Sequence, residues 1–152
     1  MYERLQSEAA ALGVEVQERV LMKRIKGLYG DNVIWINKDI ETTIEKACVL
    51  AEELGHHHMT AGDIINQSKI ENVKQEKLAR NWAYNNLVTF ESLIKAFKAG
   101  CRSRFEISEM LDITEDFLEE SLKFYHEKYG NKVRADDNHV LFFSPLAIYE
   151  DI

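Results

Sequence analysis

The chain has 152 residues, 45% of them hydrophobic and only one a proline, which suits one compact domain with a core, or a domain with an appendage, and no flexible linker. With 26 acidic against 19 basic residues its formal charge is −7, so its surface repels nucleic acid and anionic membranes and favours a neutral or basic protein partner. Two cysteines far apart make no secreted disulfide framework, Glu3 and Glu8 stand where a secretory leader would carry cations, and no apolar run has the length of a membrane span; a reduced, cytoplasmic setting is expected.

Leu5, Ala9 and Leu12 recur at helical spacing and Gly13 stops them, which predicts a first helix over 2–12. Val14-Glu-Val16 is a short alternating run. Ile25 to Tyr29 and Val33 to Ile36 are β-branched and aromatic stretches on either side of Gly30-Asp-Asn, a β-hairpin pattern. Thr42, with Glu45 three residues on, opens a helix by capping-box chemistry. Ile44, Ala47, Cys48, Ala51, Leu54, Gly55 and His58 form its inward face.

Glu52 and His56 lie one turn apart on a neighbouring stripe, with Glu53 between them. Two side chains four apart on a helix can hold one metal ion, and a carboxylate beside the first can act on a water bound to it. The usual spelling is H-E-x-x-H. Here Glu52-Glu53-Leu54-Gly55-His56 has a glutamate at the first position. Turn chemistry follows at 59–63, then an irregular connector over 64–72. A helix over 74–87 carries Glu76 near its start and Ala79, Trp82, Ala83 and Leu87 inward.

Phe90 to Ala99 is a further amphipathic helix closed by Gly100. Residues 104–113 and 114–125 have the cadence of a helix-turn-helix, with Thr114 capping the second helix. Eight acids against three bases between Ser103 and Tyr129 argue against DNA and for a packing or protein-binding role. Asn138 to Ser144 reads as a strand stopped by Pro145.

Leu50-Ala-Glu-Glu-Leu-Gly-His56 resembles the L-A-H-E-L-G-H helix of the ImmA/IrrE metallopeptidases of phages, mobile elements and bacterial stress regulators. Glu76-Lys-Leu-Ala-Arg-Asn-Trp82-Ala83 resembles their later E-x-x-A-x-x-F-A helix. The likeness by motif runs from about Gly27 to Trp82, and 103–130 looks like the helical tail of phage versions. It implies an α+β, zincin-like fold, mostly helical, with a small sheet before the metal helix. That predicts a peptidase domain over 1–100 with a helical, acidic extension over 101–152 packed on it. It further implies Glu53 as catalytic base, with Glu52, His56 and Glu76 as metal ligands.

Zinc is the implied ion. A set of two carboxylates and one imidazole leaves manganese or iron open. Cys48, His57, His58 and Asp63 stand as substitutes for Glu52, and His57, Tyr84 and Tyr29 as donors to an oxyanion. In zincins the sheet's edge strand pairs with an extended substrate. By resemblance, the substrate is a helix-turn-helix repressor encoded nearby, cleaved to switch on the mobile element. The alternative is an inactive anti-repressor that binds the repressor without cutting it.

Overall fold

The computed structural model describes residues 1–59 and 69–151, with side chains for 1–59 and 74–151. The elements run α1 (Tyr2–Ala11), β1 (Glu15–Arg19), β2 (Gly27–Gly30), β3 (Val33–Asn37), α2 (Thr43–Met59), α3 (Lys69–Leu87), α4 (Phe90–Lys98), α5 (Arg104–Leu111), α6 (Glu115–Tyr129), β4 (Lys132–Arg134), β5 (His139–Phe143) and β6 (Leu146–Glu150). The architecture is the α+β one expected, and two compact units divide it, Met1–Ala83 and Tyr84–Ile152. Among the described residues no helix is long and apolar enough to cross a membrane.

In the N-terminal unit the sheet order is β1-β3-β2, with β3 central. The β2–β3 hairpin is the one read from sequence. Asp31 and Asn32 both take positive φ (51° and 63°), which matches the twist of the two strands and suits short polar side chains. β1 is longer than the Val14–Val16 run and pairs parallel to β3. Side chains alternate across β3, so Ile34 and Ile36 are buried while Trp35 faces outward with the Arg19 guanidinium over its ring. α2 packs on β2 and β3, and α1 on α2 and β1, closing a core around Leu5, Ile34, Ile36, Leu50 and Leu54.

Two local expectations change. Thr42 caps α2 through Glu45 N–H (3.1 Å), but the Glu45 carboxylate reaches Lys26 (2.6 Å) instead of returning to the cap, so half of the capping box forms. Ile44 is exposed rather than inward, because it lies in the first turn of α2, beyond the edge of the sheet's cover.

In the C-terminal unit Thr89, Ser103 and Thr114 cap α4, α5 and α6, and Ser103 with Glu106 completes a full capping box. Asp112 takes a left-handed conformation (φ 61°) between α5 and α6, the turn of the helix-turn-helix cadence. The core is aromatic: Tyr84, Phe117, Phe124 and Tyr125 meet edge-on or tilted. The Tyr125 hydroxyl, fully enclosed, donates to the main-chain carbonyls of Tyr84 and Val88. The strand read over 138–144 is β5, and it ends before Pro145 as expected; β4 and β6 flank it, giving an antiparallel sheet in the order β4-β5-β6. Its outer strands were not read from the sequence: β4 is only three residues long, and β6 is held by its pairing to β5.

Candidate active site on α2 and α3

The site is assembled by an unusually close approach of two helices. Gly55 lies on the face of α2 against α3, and a Cβ built there would overlap the Ala79 carbonyl, whose carbon is 2.9 Å away. Only a residue without a side chain lets the helices meet so closely. One residue beyond Gly55 is His56, and one turn before Ala79 is Glu76. His56 Nε2 consequently stands 3.3 Å from Glu76 Oε1. α3 begins at Lys69, five residues before the expected start at 74, so Glu76 lies in its second turn, not at its beginning. Its carboxylate is engaged across the helices rather than answering the dipole of its own helix.

Glu53 is the buried member of the group, 8% exposed on a helix whose neighbouring Glu52 is half-buried. β2 covers it. A Cβ on Gly27 would come within 2.7 Å of a Val49 methyl and 3.1 Å of Glu53 Cγ, so a glycine strand lies directly over this turn of α2. Burial, and then the negative charges of Glu76 and Glu52, push the Glu53 carboxyl up to about 8. Without a cation nearby it holds its proton at neutral pH.

Tyr29, also on β2, places its hydroxyl 2.8 Å from His57 Nδ1. His57 in turn meets His58 edge-on, and His58 stacks on Trp82 (4.5 Å between centroids). His58, expected inward, is exposed, and its ring lies along α3 instead of in the core, because α2 outruns the sheet at its C-terminal end. Of the donors named as substitutes, Cys48 is buried in the core (7% exposed), His57 is held by Tyr29, and Asp63 lies outside the described residues. Tyr84 points its ring into the aromatic core of the C-terminal unit. The Tyr29–His57 pair carries no sequence signal, since 28 residues separate its members.

The donors themselves show whether a divalent ion suits this cluster. Two ligands of one tetrahedral zinc, each about 2.1 Å from it, stand about 3.4 Å apart. His56 Nε2 and Glu76 Oε1, at 3.3 Å, fit two such positions. Glu52, one turn before His56, is near enough for its charge to raise Glu53. Among the described residues, however, no three His, Cys, Asp or Glu side chains converge as a complete ligand set.

A glutamate-bearing helix under a small mixed sheet, meeting a second helix through an imidazole–carboxylate pair, is the layout of a zincin-like peptidase domain. The chain belongs to the IrrE N-terminal-like domain family, Peptidase_M78, whose pattern it matches over residues 9–123. No curated protein matches it closely enough to count as a relative. The family places it among peptidases of metal-dependent type, and the match takes in α2, α3, α4, α5 and part of α6.

Proposed function

We propose that this protein is a metal-dependent endopeptidase that cleaves a helix-turn-helix repressor of a phage or mobile element in the bacterial cytoplasm. The observation that carries the reading is the His56–Glu76 pair set beside a buried Glu53. His56, Glu76 and Glu52 would hold the ion, zinc before manganese or iron. Once bound, such an ion supplies Lewis-acid polarisation of the scissile carbonyl.

Glu53 does the proton work. Burial first, and then the charges of Glu76 and Glu52, raise the Glu53 carboxyl; a cation held by His56, Glu76 and Glu52 would favour its carboxylate form. As a carboxylate it takes a proton from the attacking water and delivers it to the leaving amine. The free edge of β2 accepts an extended segment by strand addition, and Tyr29 with His57 stands beside it as a donor to the developing oxyanion. The acidic surface attracts a partner whose DNA-binding face is basic.

A second reading, an anti-repressor that binds without cutting, is favoured by one observation: Glu52 replaces the first motif histidine and no three donors converge among the described residues. Elemental analysis of untagged protein separates the two. Near-stoichiometric metal in the parent that falls in Glu52→Ala, His56→Ala and Glu76→Ala supports the peptidase, as does repressor cleavage that disappears in Glu53→Gln with metal retained. No metal uptake when zinc, manganese or iron is offered, or full derepression by Glu53→Gln, would replace it with the binding-only reading.

A further inference from the structure

We propose that the outer face of the C-terminal sheet is a binding site for a small aromatic anion, a planar ring carrying a phosphate or carboxylate. The inner face of β5 presents His139, Leu141 and Phe143, all buried. Its outer face presents Val140 and Phe142, so apart from His139 the strand is apolar on both sides. An antiparallel sheet with one solvated face normally alternates apolar with polar residues. Here the outward positions continue the apolar pattern onto β6, where Tyr149 opposes Val140 and Ala147 opposes Phe142.

The β4 side of the same face is cationic. Lys132 opposes Phe142 and Arg134 opposes Val140. Together with Tyr149 these residues line a groove of about 450 Å³, within the size range of small-molecule sites. Its aromatic part is set, the Phe142 and Tyr149 rings meeting edge to face at 5.2 Å, and Tyr149 remains 61% exposed.

The cations have capacity for an anion. The main chain of Lys132 pairs with β5, and among the described residues no hydrogen bond or ion pair engages its ammonium group. Arg134 uses Nη1 for the Asp151 carboxylate (3.0 Å) and for the carbonyls of Asp137 (3.2 Å) and Asp136 (3.5 Å), which anchor it at the groove and leave the rest of the guanidinium fork uncommitted. A ring lying against Phe142 and Tyr149 thus meets an ammonium and a guanidinium at one edge, and neither the ring nor the charge alone satisfies both halves.

The groove's size argues for a small molecule. Six residues line it, against the roughly 20–30 that each partner contributes to a stable protein interface. Two cations in a chain of net charge −7 would neutralise too few phosphates to hold a nucleic-acid strand at physiological salt.

The test is calorimetric titration of the full chain with adenosine 5′-monophosphate, 2-naphthoate, adenosine and ribose 5-phosphate. One or both aromatic anions should bind with Kd below about 1 mM, and adenosine and ribose 5-phosphate at least about tenfold more weakly. Which anion is preferred distinguishes phosphate from carboxylate as the recognised group. Lys132→Glu and Tyr149→Ala, both at surface positions, should each weaken binding about tenfold, a loss of about 1.4 kcal/mol. Failure of both aromatic anions to bind at about 5 mM, adenosine binding as well as its monophosphate, or affinity unchanged in both variants would overturn the proposal.

Discussion

In the N-terminal unit a carboxyl group is driven into the interior beside two others, whereas in the C-terminal unit all eight acids between Ser103 and Tyr129 stay at the surface. Glu53 is 8% exposed, and its charged form is disfavoured by burial and by Glu76 and Glu52 together. The polar groups buried in the C-terminal unit are mostly satisfied within it: Ser121 donates to Phe117 O (2.7 Å), Ser108 to Phe105 O (2.9 Å) and Tyr125 to two carbonyls. Its carboxylates work at helix starts, as Glu106 does in the capping box of α5. One unit stores electrostatic strain around a cluster of potential donors, and the other spends its polar groups on stability. A desolvated carboxyl beside two others is the kind of perturbed group that clusters at functional sites.

The contrast can be broken most forcefully at Gly55. Gly55→Ala forces a methyl group into the Ala79 backbone, which cannot rotate away. The expected cost is about 3 kcal/mol in denaturant unfolding, at the upper end of overpacking penalties, together with loss of the His56–Glu76 approach. A stability within about 0.5 kcal/mol of the parent would show that α2 and α3 separate freely, and the site geometry would have to be redrawn.

Glu53 sharpens the comparison through pH. In chelator-treated protein Glu53 keeps its proton up to about 8 when folded, against an ordinary 4.5 when unfolded, so between these values the folded state binds more protons. Its contribution is full below pH 4.5 and declines as pH rises to about 8, by about 1.4 kcal/mol per unit at most. Glu53→Gln should remove this slope and leave the variant more stable than the parent at pH 9, measured by urea melts across the range. Parallel pH profiles for the two proteins would mean that Glu53 is not desolvated.

The smallest effect is expected on the satisfied side. Tyr125→Phe removes a hydroxyl that caps the carbonyls of Tyr84 and Val88 and should cost about 1–2 kcal/mol, with the aromatic packing intact and no new pH dependence between 5 and 9. A loss as large as that of Gly55→Ala would put the C-terminal unit under the same strain as the site.

Much of the fold was legible because it is written in short-range chemistry. Gly30-Asp-Asn specifies its turn, Thr42 and Thr114 announce helix starts, and the E-E-x-x-H segment predicts one helix with two potential ligands a turn apart. The missed strands β4 and β6 are stabilised by their pairing to β5, a contact no local window contains. The early start of α3 at Lys69 was missed although Ile70 and Val73 stand three apart, because two apolar residues in so short a stretch do not distinguish a helix from a connector.

The sequence alone determined which residue types were available at the site, the acidity of the surface and the helical setting of Glu52, Glu53 and His56. Tertiary structure decided what those groups do. Burial of Glu53 depends on a glycine strand 26 positions earlier, and the 3.3 Å meeting of His56 with Glu76 depends on how closely Gly55 lets α3 approach. Distance and desolvation belong to packed surfaces rather than to residues, and they separate an ordinary helix glutamate from one held protonated to about pH 8.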